Sequence, residues 1–260
     1  MDARTLSEKR PTHLERHPMD QLAAPQNAAP IQNLQQQPAP NARTGAFVIR
    51  KIRDSITNEE LLADLETYRH LAITQLGASD AKIIPADLVV IDERVRIKCS
   101  YPKCMFYGTN AHCPPHAMDL DDVRKAVGKY RYGIFIRLEV PAEEFAGPAV
   151  ARNSTKQGLF KTHDIVTRIE SAAFYDGYHL ALGFGCGPCK SVFCPTQACS
   201  ALVVGNACRH PSRARGAMEC AGMDVFTMAA KAGWDVYPIG GSARPSDIPC
   251  AASYGLVLVS

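Results

Sequence analysis

Eight of the ten cysteines in this 260-residue chain lie in two short stretches, 99–113 and 186–208, among glycines and prolines. Cysteines scattered through a core behave as small hydrophobic groups and do not gather beside turn-forming residues. The N-terminal stretch "MDARTLSEKRPTHLERHPMD" is charged and has no apolar segment typical of a secretory signal. We therefore expect a cytoplasmic protein, because gathered cysteines in a reducing compartment bind metal or do redox work rather than form disulfides.

The overall composition is that of an ordinary globular protein, with 46% apolar and 21% charged residues. Its formal net charge of +3 is too small to indicate nucleic-acid binding. No stretch approaches the roughly 18 apolar residues that cross a bilayer. We therefore expect neither nucleic acid nor a membrane among the partners.

The chain changes character near residue 46. Residues 1–45 contain six prolines, six glutamines and no aromatic residue, which predicts a disordered tail. Residues 46–260 have the apolar patterning of one globular domain. Helix and strand patterns alternate there without a repeat, which predicts a mixed α+β or α/β fold.

Local patterns predict the main elements. Thr57 and Glu60 have capping-box spacing at the start of "TNEELLADLETYRHLAITQLG", where apolar residues recur on one helical face. Further helices are predicted over 119–127, over 155–176 and in "GMDVFTMAAKAG". Strands are predicted in "DLVVI", "RVRIK", "YRYGIFIRLEV", "YHLALGF", "WDVYP" and "YGLVLV". Both cysteine stretches are thus predicted to begin where a strand ends, a common place for functional loops.

The first group of cysteines is Cys99, Cys104 and Cys113, inside "CSYPKCMFYGTNAHC". Gly108 permits the sharp turn that so short a loop needs. Pro114 follows the last cysteine, and its fixed φ turns the chain away from a bound ion or cluster.

Three thiolates leave a metal site one ligand short. Zinc with three protein ligands keeps an open position, as catalytic zinc does, and a cubane held by three cysteines exposes one iron. The fourth ligand is left open by the sequence: His112, His116, a distant cysteine, water or a substrate would each serve.

The second group is Cys189, Cys194, Cys199 and Cys208. Cys186 precedes Cys189 with two residues between them. Structural zinc sites usually pair two short knuckles, and this run has a single C-x2-C. Evenly spread cysteines followed by proline fit a [4Fe–4S] cluster better, and zinc remains the alternative. The role of Cys186 stays open.

Other chemistry-bearing residues are given plainer interpretations. Cys220 and Cys250 stand apart in the sequence and are interpreted as buried core thiols. A basic run after the second group would offset cluster charge, hold an anion, dock a redox partner or form a solvated loop. Its members are Arg209, His210, Arg213 and Arg215.

The joined pattern resembles a family of predicted metal-binding proteins catalogued as domain of unknown function 2284. The resemblance rests on "KCSYPKCMFYGTNAHCPPH", "GPCKSVFC" and "CRHPSRARGAMECAGMDVF", and covers about residues 90–260. It implies cytoplasmic metal or iron–sulfur binding through both cysteine groups. The family tends toward Arg-Pro-Ser-Met-Glu where this chain has Arg215-Gly216-Ala217-Met218-Glu219.

The leading functional hypothesis is a cytoplasmic iron–sulfur protein. The second group would hold a closed [4Fe–4S] cluster for electron transfer, and the first a site with an open position for redox or sulfur chemistry. A zinc-binding adaptor and a metal or sulfur carrier are the alternatives. The partner would be a redox protein or a small-molecule substrate. The sequence contains no Rossmann fingerprint, P-loop or Gly-x-Ser-x-Gly motif, so it gives no support to nucleotide or hydrolase chemistry. It does not identify a substrate.

Overall fold

A four-stranded antiparallel sheet organises the protein in a computed structural model that describes residues 49–147, 156–240 and 242–260. The tail predicted over 1–45 lies outside the described residues. The strands, in spatial order β1-β2-β4-β3, are β1 (Asp80–Pro85), β2 (Tyr132–Val140), β3 (Leu182–Phe184) and β4 (Ala251–Leu258). Because every neighbouring pair is antiparallel, the fold is α+β and not α/β.

Six α-helices accompany the sheet in the described part of the chain. They are α1 (Asn58–Thr74), α2 (Glu93–Ser100), α3 (Leu120–Val127), α4 (Gln157–Tyr175), α5 (Cys189–Phe193) and α6 (Val225–Lys231). The capping box of Thr57 and Glu60 at the start of α1 is confirmed, as are the helices predicted as α3, α4 and α6. No helix in the described ranges is both long and apolar enough to cross a membrane.

The core has two layers because side chains alternate along β2. Ile134 and Ile136 pack with apolar residues of α1 and α4 on one face of the sheet. Phe135 faces the other way and packs with α3, α6 and Trp234. The sheet is therefore covered on both faces. The candidate functional residues lie in the segments outside the strands.

The strand pair predicted from "DLVVI" and "RVRIK" is wrong. A 3₁₀ turn covers Ala86–Leu88, and Arg94 to Lys98 lie inside α2. The side chain of Asp92 accepts a hydrogen bond from the Arg94 amide and so begins the helix. On the side of β2 away from β4 the pairing strand is β1, which the sequence analysis did not predict.

The strand predicted in "WDVYP" is also wrong, and "YHLALGF" is a strand only at Leu182–Phe184. Trp234 is instead buried against the rings of Phe135 and Tyr254. Its indole Nε1 donates to Asp80 at 2.7 Å, which provides the partner that a buried indole requires.

Replacing the cap of α2 tests the corrected assignment. We expect Asp92→Ala to lower the Tm by about 2–4 °C, because an uncapped helix start loses a backbone hydrogen bond. The control is Asp87→Ala, which removes the same charge from the exposed turn Ala86–Leu88. Equal Tm values for the two variants in thermal unfolding followed by circular dichroism would contradict the capping role.

Candidate metal centre

The second cysteine stretch begins beyond the end of β3, as predicted. The amide of Gly185 donates to the Gly216 carbonyl at 2.8 Å, and the Met218 amide donates to the Gly185 carbonyl at 3.2 Å. These two bonds place the start of the stretch beside residues 216–218. The chain that leads to Cys220 therefore runs along the entry to the second group.

The first stretch begins on a helix, which corrects the expectation of a strand. Cys99 lies in the last turn of α2, and its carbonyl accepts from the Cys104 amide at 2.9 Å. Gly108 has φ +75°, as its predicted role in the turn requires, and its amide donates to the Pro114 carbonyl at 2.7 Å. The loop thus folds back on itself, with Cys113 buried and the other two cysteines half-buried.

One cysteine in each group accepts a backbone hydrogen bond from the residue two positions later. The Phe106 amide donates to Cys104 Sγ at 3.5 Å, and the His210 amide donates to Cys208 Sγ at 3.3 Å. An N–H directed at sulfur stabilises the thiolate, which is the form that binds metal.

Cys189 interacts electrostatically with the other thiols of the second group. Burial raises the pKa of Cys189 to about 12, and the charges of four other cysteines contribute to the increase. They are Cys113, Cys199, Cys208 and Cys194. Cys113 of the first group thus contributes to the same electrostatic environment as the second group.

The first group gathers in the same way and includes a cysteine that the sequence analysis set aside. Burial raises the pKa of Cys99, with contributions from the charges of Cys104 and Cys113. The thiol of Cys220 donates to Cys113 Sγ at 3.7 Å, a hydrogen bond that raises the pKa of Cys220 and lowers the pKa of Cys113. Cys220 is buried, as expected, but it is not isolated from the other cysteines. Its position inside "MECAGMDVF", one of the segments that carry the family resemblance, was the only signal available in the sequence.

Asn110 connects the two groups. Its side chain is fully buried and forms a hydrogen bond with the side chain of Cys113. Its Oδ1 also accepts a hydrogen bond from the Cys189 thiol at 3.9 Å. The same oxygen accepts from the His112 amide at 3.0 Å, which fixes its orientation. One amide thus contacts a cysteine of each group.

The two remaining cysteines have other surroundings. Burial raises the pKa of Cys186, and the carboxylates of Glu219 and Glu144, not cysteines, supply the charges that add to this effect. Cys250 accepts a hydrogen bond from Arg137 at 2.9 Å beside β4. Neither is brought into a group of thiols.

Several buried polar atoms near the cysteines have no hydrogen-bond partner among the described residues. They include His112 Nδ1 and Glu219 Oε2. Burial lowers the pKa of His112 and lowers that of His163 to about 4, so both imidazoles are neutral near pH 7. His116, by contrast, is exposed. Buried polar groups are normally paired, so unpaired ones suit a region where a bound non-protein group supplies the missing partner.

The arginine side chains after Cys208 form contacts within the protein. Arg215 forms an ion pair with Glu170 at 2.6 Å, and Arg209 donates to the Ala198 carbonyl at 2.7 Å. Arg213 lies over the ring of Phe160. These contacts fix the segment that holds Cys199 and Cys208.

The thiols are near one another without forming a site for a single ion. In the parts of the chain that the structure describes, no three His, Cys, Asp or Glu side chains are arranged to hold one metal ion. The donor set of each group is nevertheless thiolate, which suits iron–sulfur clusters and zinc.

A family model described as "Predicted metal-binding protein (DUF2284)" matches residues 82–259. The match includes both cysteine groups, Cys220 and Asn110. No curated protein and no solved structure matches the chain.

The close approach at Gly185 gives a test of the scaffold. A Cβ at this position would lie 2.4 Å from Cε1 of His163, whose side chain is fully buried and has no room to move. We expect Gly185→Ala to lower the free energy of unfolding by about 1–3 kcal/mol in urea titrations.

The matched control is the hydrogen-bonding partner of Gly185. A Cβ on Gly216 would meet nothing closer than His112 Cβ at 3.9 Å, so Gly216→Ala should be tolerated. Equal losses of stability in the two variants would show that the His163 contact does not constrain this turn.

Proposed function

Because the chain belongs to the DUF2284 family of predicted metal-binding proteins, we propose that its two cysteine groups hold iron–sulfur clusters and that the protein transfers electrons. The observation that carries the proposal is the set of contacts between the groups: Asn110 contacts both Cys113 and Cys189, and the thiol of Cys220 contacts that of Cys113.

The size of the bound group explains this choice. Zinc is bound at about 2.3 Å from each sulfur, so its four ligands crowd around one point. A [4Fe–4S] cluster is a larger body whose cysteines attach at separate corners. Evenly spread cysteines with a single C-x2-C, and without the second knuckle of a structural zinc site, favour the larger group.

In the proposal, Cys189, Cys194, Cys199 and Cys208 hold one [4Fe–4S] cluster, and Cys99, Cys104 and Cys113 belong to a second site. When bound, such clusters supply one-electron redox chemistry at a potential set by charge and by hydrogen bonds to sulfur. The chain contributes the amides of Phe106 and His210, which already donate to cysteine sulfurs. The neutral buried imidazole of His112 adds polarity without adding positive charge.

Electrons would enter or leave through half-buried thiols, which occur in both groups. Tyr101, between Cys99 and Cys104, is 81% exposed. The partner would be a redox protein or a small molecule that reaches these thiols. A cytoplasmic location fits the proposal, because a reducing compartment keeps cysteines available as ligands.

Zinc is the second candidate, and one distance favours it. Tetrahedral zinc places its sulfurs about 3.8 Å from one another, and the Sγ atoms of Cys113 and Cys220 are 3.7 Å apart. A zinc-binding structural or adaptor protein would then be the function.

Analysis of one anaerobic preparation separates the two candidates. The iron–sulfur proposal predicts a brown protein that absorbs near 400 nm, as such clusters do at roughly that wavelength, with iron and acid-labile sulfide in equal amounts. Colourless protein with zinc and no sulfide would reject it in favour of the structural role.

The second group can be tested by removing single ligands. Cys194→Ala and Cys208→Ala should each remove about half of the iron and sulfide and lower the Tm, because metal-binding energy contributes to folding. Cys250→Ser is the control, since it keeps an acceptor for Arg137 and leaves both groups intact. Full iron content in both alanine variants would exclude these residues as ligands.

The connecting amide can be tested separately. Asn110→Ala removes contacts to Cys113 and Cys189 together, so we expect cluster loss to a chelator to be about 10–100-fold easier at both sites. Asn206→Ala changes an exposed asparagine on the same chain and should behave as wild type. Loss confined to one site would mean that Asn110 does not connect the two groups.

A further inference from the structure

We infer that Cys220 supplies the fourth thiolate of the first site, so that Cys99, Cys104, Cys113 and Cys220 close it and leave no open position. The inference rests on the metal binding by the cysteine groups in the proposed function, whether as a cluster or as zinc, and replaces the open site expected from the sequence. It assigns a role to a cysteine that lies 107 residues along the chain from Cys113, the thiol that it contacts.

The first support is the direct contact between thiols. Sγ of Cys220 lies 3.7 Å from Sγ of Cys113, too far for a disulfide, whose sulfurs are about 2.05 Å apart. Cys220 also interacts electrostatically with Cys99. Cys113 and Cys220 form a small packed cluster with Ala217 and the ring of Phe106.

The second support is a clamp on the turn that carries Cys220. The turn Glu219–Ala221 packs against α2, the helix that carries Cys99. From α2, Arg96 donates one guanidinium nitrogen to the Cys220 carbonyl at 2.5 Å and the other to the Met118 carbonyl at 3.1 Å. One side chain therefore ties together the helix of Cys99, the end of the Cys113 loop and the turn of Cys220.

The third support is backbone pairing on both sides of Cys220. Before it, Met218 donates to Gly185. After it, the Asp92 amide donates to the Gly222 carbonyl at 2.8 Å and the Asp224 amide donates to the Val90 carbonyl at 2.8 Å. The hydrogen bonds before and after Cys220 fix the position of its backbone. Its contact with Cys113 therefore follows from the fold and not from the orientation of an unconstrained loop.

The competing ligands fit less well. His116 is exposed, and its amide donates to the Cys113 carbonyl as part of the turn. His112 interacts with His163 and Arg215 on the side of the second stretch. Cys186 has no cysteine among the charges that act on it. Among the described candidates, Cys220 alone contacts a thiol of the first group.

A closed site changes what the first group does. A metal centre with four protein thiolates offers no position to a substrate, so binding and reduction of a substrate at the metal lose their basis. Two closed sites next to one another, connected through Asn110, instead suit the passage of electrons.

The test compares metal content and the response to an added ligand in the full chain, prepared anaerobically. We expect Cys220→Ala to lose about half of the iron and sulfide, as Cys113→Ala does, or to retain a labile cluster that added 2-mercaptoethanol stabilises. Cyanide should leave the wild-type spectrum unchanged and perturb that of Cys220→Ala. Cys186→Ala and Cys250→Ser are the matched controls and should retain full metal.

Two results would overturn the inference. One is a Cys220→Ala variant with wild-type iron, sulfide and ligand response. The other is a wild-type protein whose spectrum responds to cyanide at one site, since that response requires an open position.

A measurement on the wild type covers the case in which Cys220→Ala fails to fold. Mapping of alkylated cysteines before and after metal removal should show Cys220 and Cys113 protected only while metal is bound. Cys186 reports unfolding, because desolvation raises the pKa of this half-buried thiol and it is not a proposed ligand. Alkylation of Cys220 in metal-loaded protein, with Cys186 still protected, would exclude Cys220 as a ligand.

The two proposals fail in different ways. Absence of iron and sulfide from the wild type would reject the iron–sulfur function. The ligand set would then be measured as zinc per chain, and full zinc content in Cys220→Ala would reject the inference on its own.

Discussion

The backbone pairing between residues 90–92 and 222–224 is the constraint on which the arrangement of cysteines depends. It has a hydrogen bond in each direction, one from Asp92 to Gly222 and one from Asp224 to Val90. The residue that donates the first of these also caps α2 through its side chain. One short contact therefore sets both the helix that carries Cys99 and the turn that carries Cys220.

Burial of so many thiols has an energetic consequence. A desolvated thiol holds its proton more tightly, which is why the pKa values of Cys99 and Cys189 are raised. For Cys220 the hydrogen bond to Cys113 is the main cause of the raised pKa, and burial adds to it. Metal ions bind the thiolate, so loading releases protons, and the energy of binding becomes part of the stability of the fold.

Elements with strong local signals were predicted correctly. The capping box and the apolar face of Leu61, Leu65, Tyr68 and Ala72 specify α1, and all four side chains are buried. The segment 94–98 was missed because Val95 and Ile97 alternate as in a strand, while a single side chain, that of Asp92, decides for a helix. "WDVYP" has strand propensity, but no neighbouring strand is available to it, because Trp234 turns inward to meet Asp80.

The sequence by itself determined the class of chemistry: two groups of cysteines at turn-rich positions, with backbone freedom at Gly108 where the first loop needs it. Only the tertiary structure decided which thiols meet. Spacing patterns report on residues that are near one another in the chain, whereas Cys113 and Cys220 are 107 residues apart. They are brought together by the sheet, by α2 and by the backbone pairing of residues 90–92 with residues 222–224. The connecting role of Asn110 was likewise decided by the tertiary structure. Its amide contacts Cys113 within its own loop, but it contacts Cys189 only because the fold places the second stretch beside the first.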